Sequence, residues 1–173
     1  MQYCSGGVEL RRGYTMSTKA CRKGVVGGTF SLMHRGHRHL LRVAAEKSQA
    51  LLVGVSSDEY ASARKAHPLE PYEMRAISVL LYLLTVDPSL EVEIYPLDDA
   101  FGPAYLDSGL DCIFVSEETI PGAVAINILR RLSGLAPLRI YSVELVTDER
   151  GRRLSSTALW SRFLRDPAPE NLD

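Results

Sequence analysis

"GGTFSLMHRGHRHLL", residues 27–41, sets two histidines around Arg35 and Gly36, just past a pair of glycines. The apolar run before it, "KGVVGG" at 23–28, reads as a short buried strand. "HRHLLRVAAEKS" at 37–48 reads as a helix with Leu40, Leu41, Ala44 and Ala45 on one face. The histidines therefore stand where a strand hands over to a helix. Three readings of that junction compete: a metal clasp, a phosphate cradle, or a turn with polar side chains.

The same alternation runs through the chain. "ALLVGVSS" (50–57), "EVEIYPL" (91–97), "DCIFVS" (111–116) and "LRIYSVELV" (138–146) read as strands. Between them, Pro71 opens "PYEMRAISVLLYLL" at the position where a helix accepts proline. "IPGAVAINILRRLSG" carries Pro121 early, arginines late and Gly134 past its end, as the dipole and capping rules require. "SSTALWSRFLR" at 155–165 is a last helix. Continuous apolar strands alternating with helices predict a parallel sheet covered on both faces. The expected fold is a single α/β domain over residues 21–165, a doubly wound, Rossmann-like sheet of about five strands. Ligands of such sheets sit beyond the carboxyl ends of the strands, and every motif discussed here follows a strand.

Residues 1–20 lack apolar periodicity and read as a disordered leader; 166–173 read as a frayed tail. From Met1 to Lys23, Arg11, Arg12, Lys19, Arg22 and Lys23 against Glu9 leave a net charge of +4, so a basic arm touching an anionic partner is the alternative for the leader. The whole chain has 173 residues and a formal net charge of -1, which gives no long-range field toward nucleic acid or an anionic membrane. No apolar run approaches the roughly 20 residues of a membrane span, and no signal-peptide core is present, so a cytoplasmic protein is expected. Cys4, Cys21 and Cys112 are an odd number in no CxxC pair, which argues against a disulfide framework or a thiolate zinc site. Cys112, within "DCIFV", reads as a small buried hydrophobe.

At the first strand end, Gly27 and Gly28 allow close backbone approach. The helix that follows offers unpaired N–H groups and a partial positive charge, a seat for an anion. His34 and His37 can both donate to phosphate oxygens, and Gly36 between them leaves room for the phosphate. Neither GxGxxG nor GxxxxGK[ST] occurs, so the site is of another kind. A catalytic zinc would need a third protein ligand, and neither His39 nor His67 has the spacing to supply one.

"GGTFSLMHRGH" resembles the GGTFDxxHxGH signature of the nucleotidyltransferase superfamily, and "LSSTALW" at 154–160 resembles its second hallmark, ISSTxxR. Within that superfamily, "SSDEYASARKAHPLEPYEMR" and "VSEETIPGAVAINILRR" are similar to the phosphopantetheine adenylyltransferases of the archaeal and eukaryotic type. The likeness covers about Gly24 to Thr157. It implies transfer of AMP from ATP to 4'-phosphopantetheine, giving dephospho-CoA and pyrophosphate, with Mg2+ accompanying the triphosphate. Neighbouring activities share the HxGH chemistry: cytidylyl transfer, or FMN or nicotinamide mononucleotide as acceptor. A non-catalytic nucleotide-binding module is a further alternative.

The resemblance also implies roles. His34 and His37 would contact the ATP phosphates, in the setting of Gly28, Thr29 and Phe30, with His37 donating to the α-phosphate. Thr29 would seat the incoming phosphate, and Lys65 would bridge acceptor and α-phosphate. Ser155, Ser156 and Thr157 would hold the β- and γ-phosphates, and Glu117 would lie on the nucleotide rim, with a polar helix cap as its alternative. Arg75 is open between a contact to the acceptor and a structural ion pair. Asn127, Arg130 and Arg131 are expected to serve packing and solvation. Two departures stand out: Ser31 replaces the usual Asp after GGTF, and Ala158 and Trp160 replace basic residues after SST, with Arg153 or Arg162 as substitutes for the charge.

Overall fold

The structure, a computed structural model, describes residues 19–144, 146–147 and 155–165. Most of the leader, the whole tail and Arg153 lie outside the described residues. Five parallel strands form one sheet: β1 (Cys21–Gly28), β2 (Ser48–Ser56), β3 (Glu91–Leu97), β4 (Cys112–Ser116) and β5 (Arg139–Val143). Their order is β3-β2-β1-β4-β5. The helices are α1 (Arg35–Lys47), α2 (Asp58–Ser62), α3 (Tyr72–Val86), α4 (Ile120–Leu132) and α5 (Ser156–Arg165). This is the doubly wound fold expected from the alternation.

The apolar runs are continuous because both sheet faces are covered. Val26, Leu51, Val53, Val55 and Phe114 pack with Leu41, Ala44 and Ala45 of α1 and with Val79 and Leu83 of α3. Their strand neighbours Val25, Leu52, Ile113 and Val115 point the other way, onto Ala123 and Ile126 of α4. β3 differs: Glu91 and Glu93 are exposed and Val92 and Ile94 half-buried, the alternation of an edge strand. The short α2 had no apolar period to announce it. It forms because Ser57 caps it, its Oγ accepting from the Tyr60 N–H at 3.3 Å.

On the α4 face, Arg130 is buried and donates to the carbonyls of Ala136, Ala104 and Asp107 at 2.8, 2.7 and 2.8 Å. Asn127 exchanges hydrogen bonds with the backbone of Leu138, and Arg131 is exposed, so all three residues have the packing and solvation roles expected of them.

One expectation fails. Cys112 is buried, but it is joined to Cys21 by a disulfide. Cys21 opens β1 and Cys112 opens β4, neighbouring strands, and the Cα atoms are 6.0 Å apart across a sequence separation of 91. Spacing in the sequence gives no hint of a pairing that only the sheet creates.

Candidate active site

The chain lays β1, β2 and β3 in one direction across the sheet, then returns to place β4 and β5 on the other side. A crevice opens at such a reversal, beyond the carboxyl ends of the strands. Here it is a cavity of about 410 Å3 whose floor includes Leu52, Ile113, Ala123 and Ile126. Gly27, Gly28 and Thr29 border it, with Tyr60, Asp99, Glu118 and Thr119 adding polar groups. An apolar bed with a few polar points suits an amphipathic small molecule.

Beside it, His34 is the N-cap of α1, its Nδ1 accepting from the Gly36 N–H at 3.1 Å. With Nδ1 an acceptor, the proton of the neutral ring sits on Nε2. His37, one turn on, stacks on His34 with ring centroids 3.8 Å apart, and Phe30 meets it edge-on at 5.3 Å. Burial pushes the His37 imidazole down to about 3, and the nearby His34 and Lys65 charges push the same way. His37 is therefore a neutral donor at physiological pH. The first turn of α1 carries no acidic side chain, so the helix itself sets no negative charge against an anion at its N-terminus.

No third ligand joins the histidine pair among the described residues, which weighs against the metal clasp. Among the described residues, the one cluster with ligand-like spacing is Cys21, Asp111 and Cys112, at the opposite strand ends and with both cysteines bonded.

Several expectations change. Gly36 lies in the first turn of α1, and a Cβ there would stand 3.0 Å from the His34 ring. It lets the histidine fold back onto the helix end. Gly28 likewise faces Phe30, whose ring would be 3.1 Å from an added Cβ. Phe30 is buried in the core behind His37 and offers no ring surface to a ligand.

Arg75 takes the structural branch of its two readings. It is buried, and its guanidinium donates to the Glu70, Thr29 and Ser56 carbonyls at 2.8, 2.7 and 2.8 Å and to Asp58 Oδ1 at 2.6 Å. That bond holds the Asp58 carboxyl below its ordinary range. The Ser156 hydroxyl donates to the Ser31 carbonyl at 2.6 Å, and Ser155 Oγ accepts from the Ala158 N–H at 3.2 Å, capping α5. Two of the three hydroxyls assigned to phosphate thus serve the protein, while Thr157 is exposed on the first turn. Glu117 is exposed outside the cavity, and its neighbours Glu118 and Thr119 line it. Lys65 is exposed in the turn after α2, and Arg162 is exposed on α5.

The loop that joins β1 to α1 holds two non-glycine residues in the left-handed region, Phe30 at φ 53° and Leu32 at φ 42°. Each costs about 1–3 kcal/mol and persists only where surrounding bonds impose it. The residue that imposes it, Glu70, carried no assignment from the sequence. Its carboxylate accepts from the Leu32 N–H at 2.7 Å and from Ser31 Oγ at 2.6 Å. Tyr60 and Asp99 carried no assignment either: Tyr60 lies on the short α2 within the stretch at 56–75 that carries the resemblance, and Asp99 follows the edge strand β3.

A family profile for cytidylyltransferase-like proteins matches residues 25–162. A phosphopantetheine adenylyltransferase of Methanopyrus kandleri is 41% identical over 138 residues, 80% of this chain and 88% of that protein. One of Pyrobaculum aerophilum is 36% identical over 84% of this chain and 94% of its own length. Among solved structures, an Archaeoglobus fulgidus protein of unknown function superposes with a TM-score of 0.61 at 29% identity, covering 72% of this chain and 99% of that one. The chain belongs to the cytidylyltransferase-like family and, within it, to the phosphopantetheine adenylyltransferases.

Proposed function

We propose that this chain transfers AMP from ATP to 4'-phosphopantetheine, forming dephospho-CoA and releasing pyrophosphate. The observation that carries the reading is the stacked His34–His37 pair at the N-terminus of α1, beside a cavity of about 410 Å3 with an apolar floor. The relatives named for this activity support the choice of acceptor.

A phosphate oxygen of the acceptor attacks the α-phosphorus, and the bond to the β-phosphate oxygen breaks in line. The nucleophile is already an anion, so no base is required, and catalysis is orientation plus neutralisation of developing charge. His37, neutral and held by Phe30 and His34, donates one N–H to the α-phosphate as its charge builds. His34 donates from Nε2, and the α1 N-terminus adds its partial charge. Thr29 seats the acceptor phosphate. Lys65, a point charge on a flexible stem, bridges acceptor and α-phosphate. Thr157 and the first N–H groups of α5 hold the outer phosphates. Mg2+ arriving with the triphosphate would supply charge neutralisation, and Asp99 on the rim, whose Oδ1 accepts from the Phe101 and Gly102 N–H groups at 2.7 Å each, would have only its Oδ2 to offer it.

The test is pyrophosphate release from ATP with 4'-phosphopantetheine, nicotinamide mononucleotide, FMN and glycerol phosphate offered separately. Turnover with the first alone is expected. Turnover with another acceptor moves the chain sideways within its superfamily, and ATP binding without turnover makes it a nucleotide-binding module.

A further inference from the structure

We propose that Glu70, Ser31 and Trp160 form a latch that positions the catalytic loops, with Glu70, just before α3, supplying the carboxylate that the signature resembled by "GGTFSLMHRGH" places at position 31. Ser31 is fully buried and stands at a crossing of three segments. Its hydroxyl donates to Glu70 Oε2 at 2.6 Å and accepts from Trp160 Nε1 at 3.1 Å. Its carbonyl accepts from Ser156 Oγ at 2.6 Å. The other oxygen of Glu70 takes the Leu32 N–H at 2.7 Å, within the left-handed loop. Glu70 is itself fixed, since its carbonyl accepts from Arg75 Nε at 2.8 Å.

The bonds converge on function through the loops they join. Residues 29–34 lead from Thr29 to His34, so their shape sets where both point. The Trp160 ring lies parallel to the His67 ring, centroids 6.1 Å apart, and His67 is two positions from Lys65. Trp160 thereby ties α5 to the Lys65 turn on one side and to the signature loop on the other. A basic residue at position 160 could not donate from an indole into a buried hydroxyl. The departures at 31 and 160 are one feature: a serine accepts the indole proton and passes its own to a carboxylate that comes from position 70.

The latch serves the proposed reaction and rests on that reading, but part of its test does not. Trp160 is the chain's one tryptophan, so its fluorescence reports the latch with no turnover required. In the full chain, Glu70→Gln should shift Trp160 emission to longer wavelength and lower kcat/KM by about 10- to 100-fold, the scale for a displaced reacting geometry. Ser31→Asp alone sets two carboxylates against each other and should be damaged similarly. Ser31→Asp/Glu70→Gln returns a single carboxylate and should exceed either single variant by about tenfold, with emission restored. A double variant no better than the worse single, or a Glu70→Gln enzyme with unchanged kinetics and emission, overturns the latch. If Glu70→Gln does not fold, Trp160→Phe keeps a ring and removes the N–H: a lower kcat at unchanged acceptor KM supports the latch, and unchanged kcat refutes it. Emission changes that follow this pattern in a chain without turnover uphold the latch while sinking the reaction; turnover without the pattern does the reverse.

Discussion

Replacing Arg75 separates a clasp from a substrate contact. In the native chain four acceptors share its guanidinium: the Glu70, Thr29 and Ser56 carbonyls and the Asp58 carboxylate. Arg75→Met would strand three carbonyls at about 1–3 kcal/mol each. Partial relaxation and the desolvation no longer demanded of a buried cation reduce that sum, so a net loss of about 4 kcal/mol is expected. Arg75→Lys can reach Thr29 and Ser56 from the position of Nη1, leaving Glu70's carbonyl unmet. Asp58 is half-exposed and rehydrates, so its lost ion pair adds little, and the Lys variant should lose only about 2 kcal/mol. At about 2–4 °C per kcal/mol for a chain of this size, the Met variant should melt about 8–16 °C early and the Lys variant about half that. Urea titration and thermal melts read the loss. The Asp58 carboxyl, followed by NMR, should rise toward its ordinary value in the Met variant. A Met variant melting with the wild type, with acceptor KM alone raised, would refute the clasp and make Arg75 a ligand contact.

His37→Ala should lower kcat by about 10²–10³ with the fold intact, the scale of losing one transition-state donor; near-normal turnover would remove the proposed role. The depressed His37 value of about 3 also fixes a pH dependence of stability. The unfolded chain binds the proton near pH 6.5 and the folded one does not, so stability should fall as pH drops from about 6.5 toward 3, by at most about 1.4 kcal/mol per pH unit. Urea midpoints across that window should fall less steeply in His37→Gln than in the wild type, the slope that the variant keeps coming from carboxylates held low in the fold such as Asp58 and Asp87. Reduction of Cys21–Cys112, which spans a separation of 91, should cost about 4 kcal/mol in a urea titration with and without dithiothreitol. Equal midpoints would show that the bond adds nothing. Lys65→Ala should raise acceptor KM and lower the rate, and unchanged kinetics would leave Lys65 as a solvated turn residue.

What the sequence made legible was whatever repeats locally. Strand runs such as 111–116 and the helix opening after Pro71 appear where apolar period, proline and glycine place them, because both sheet faces are buried and each run answers to its nearest neighbours. Gly134, at φ 75°, ends α4 as a left-handed residue should. The histidine pair and its helix end were legible for the same reason: an N-cap and the residue one turn later sit close whatever the rest of the chain does. Boundaries were less so. The fifth strand ends at Val143, short of the apolar run that suggested it, because β5 pairs with β4 only from Arg139 to Val143.

Hydrogen bonds across the fold were illegible, and they decide what the site residues do. Ser31 meets Glu70 over a separation of 39 and Trp160 over 129, and no spacing rule links them. Read alone, a serine in place of an aspartate and a tryptophan in place of a base look like eroded chemistry, the best argument for a module without catalysis. Folded together, they return a carboxylate and its partner to the loop that leads into His34 and the first turn of α1. Arg75 and Ser156 err in the opposite sense: a cation and a hydroxyl in matched motifs invite a phosphate, yet both are buried on backbone carbonyls. Motif membership locates a residue at the site without saying whether it faces substrate or holds what does. Burial helps to make that distinction, since most buried polar groups are paired by the protein itself, as Arg75 and Ser156 are. By that criterion Lys65 and Thr157 are left facing the solvent side where a triphosphate would arrive, and the residues behind them explain why the loop keeps its strained shape.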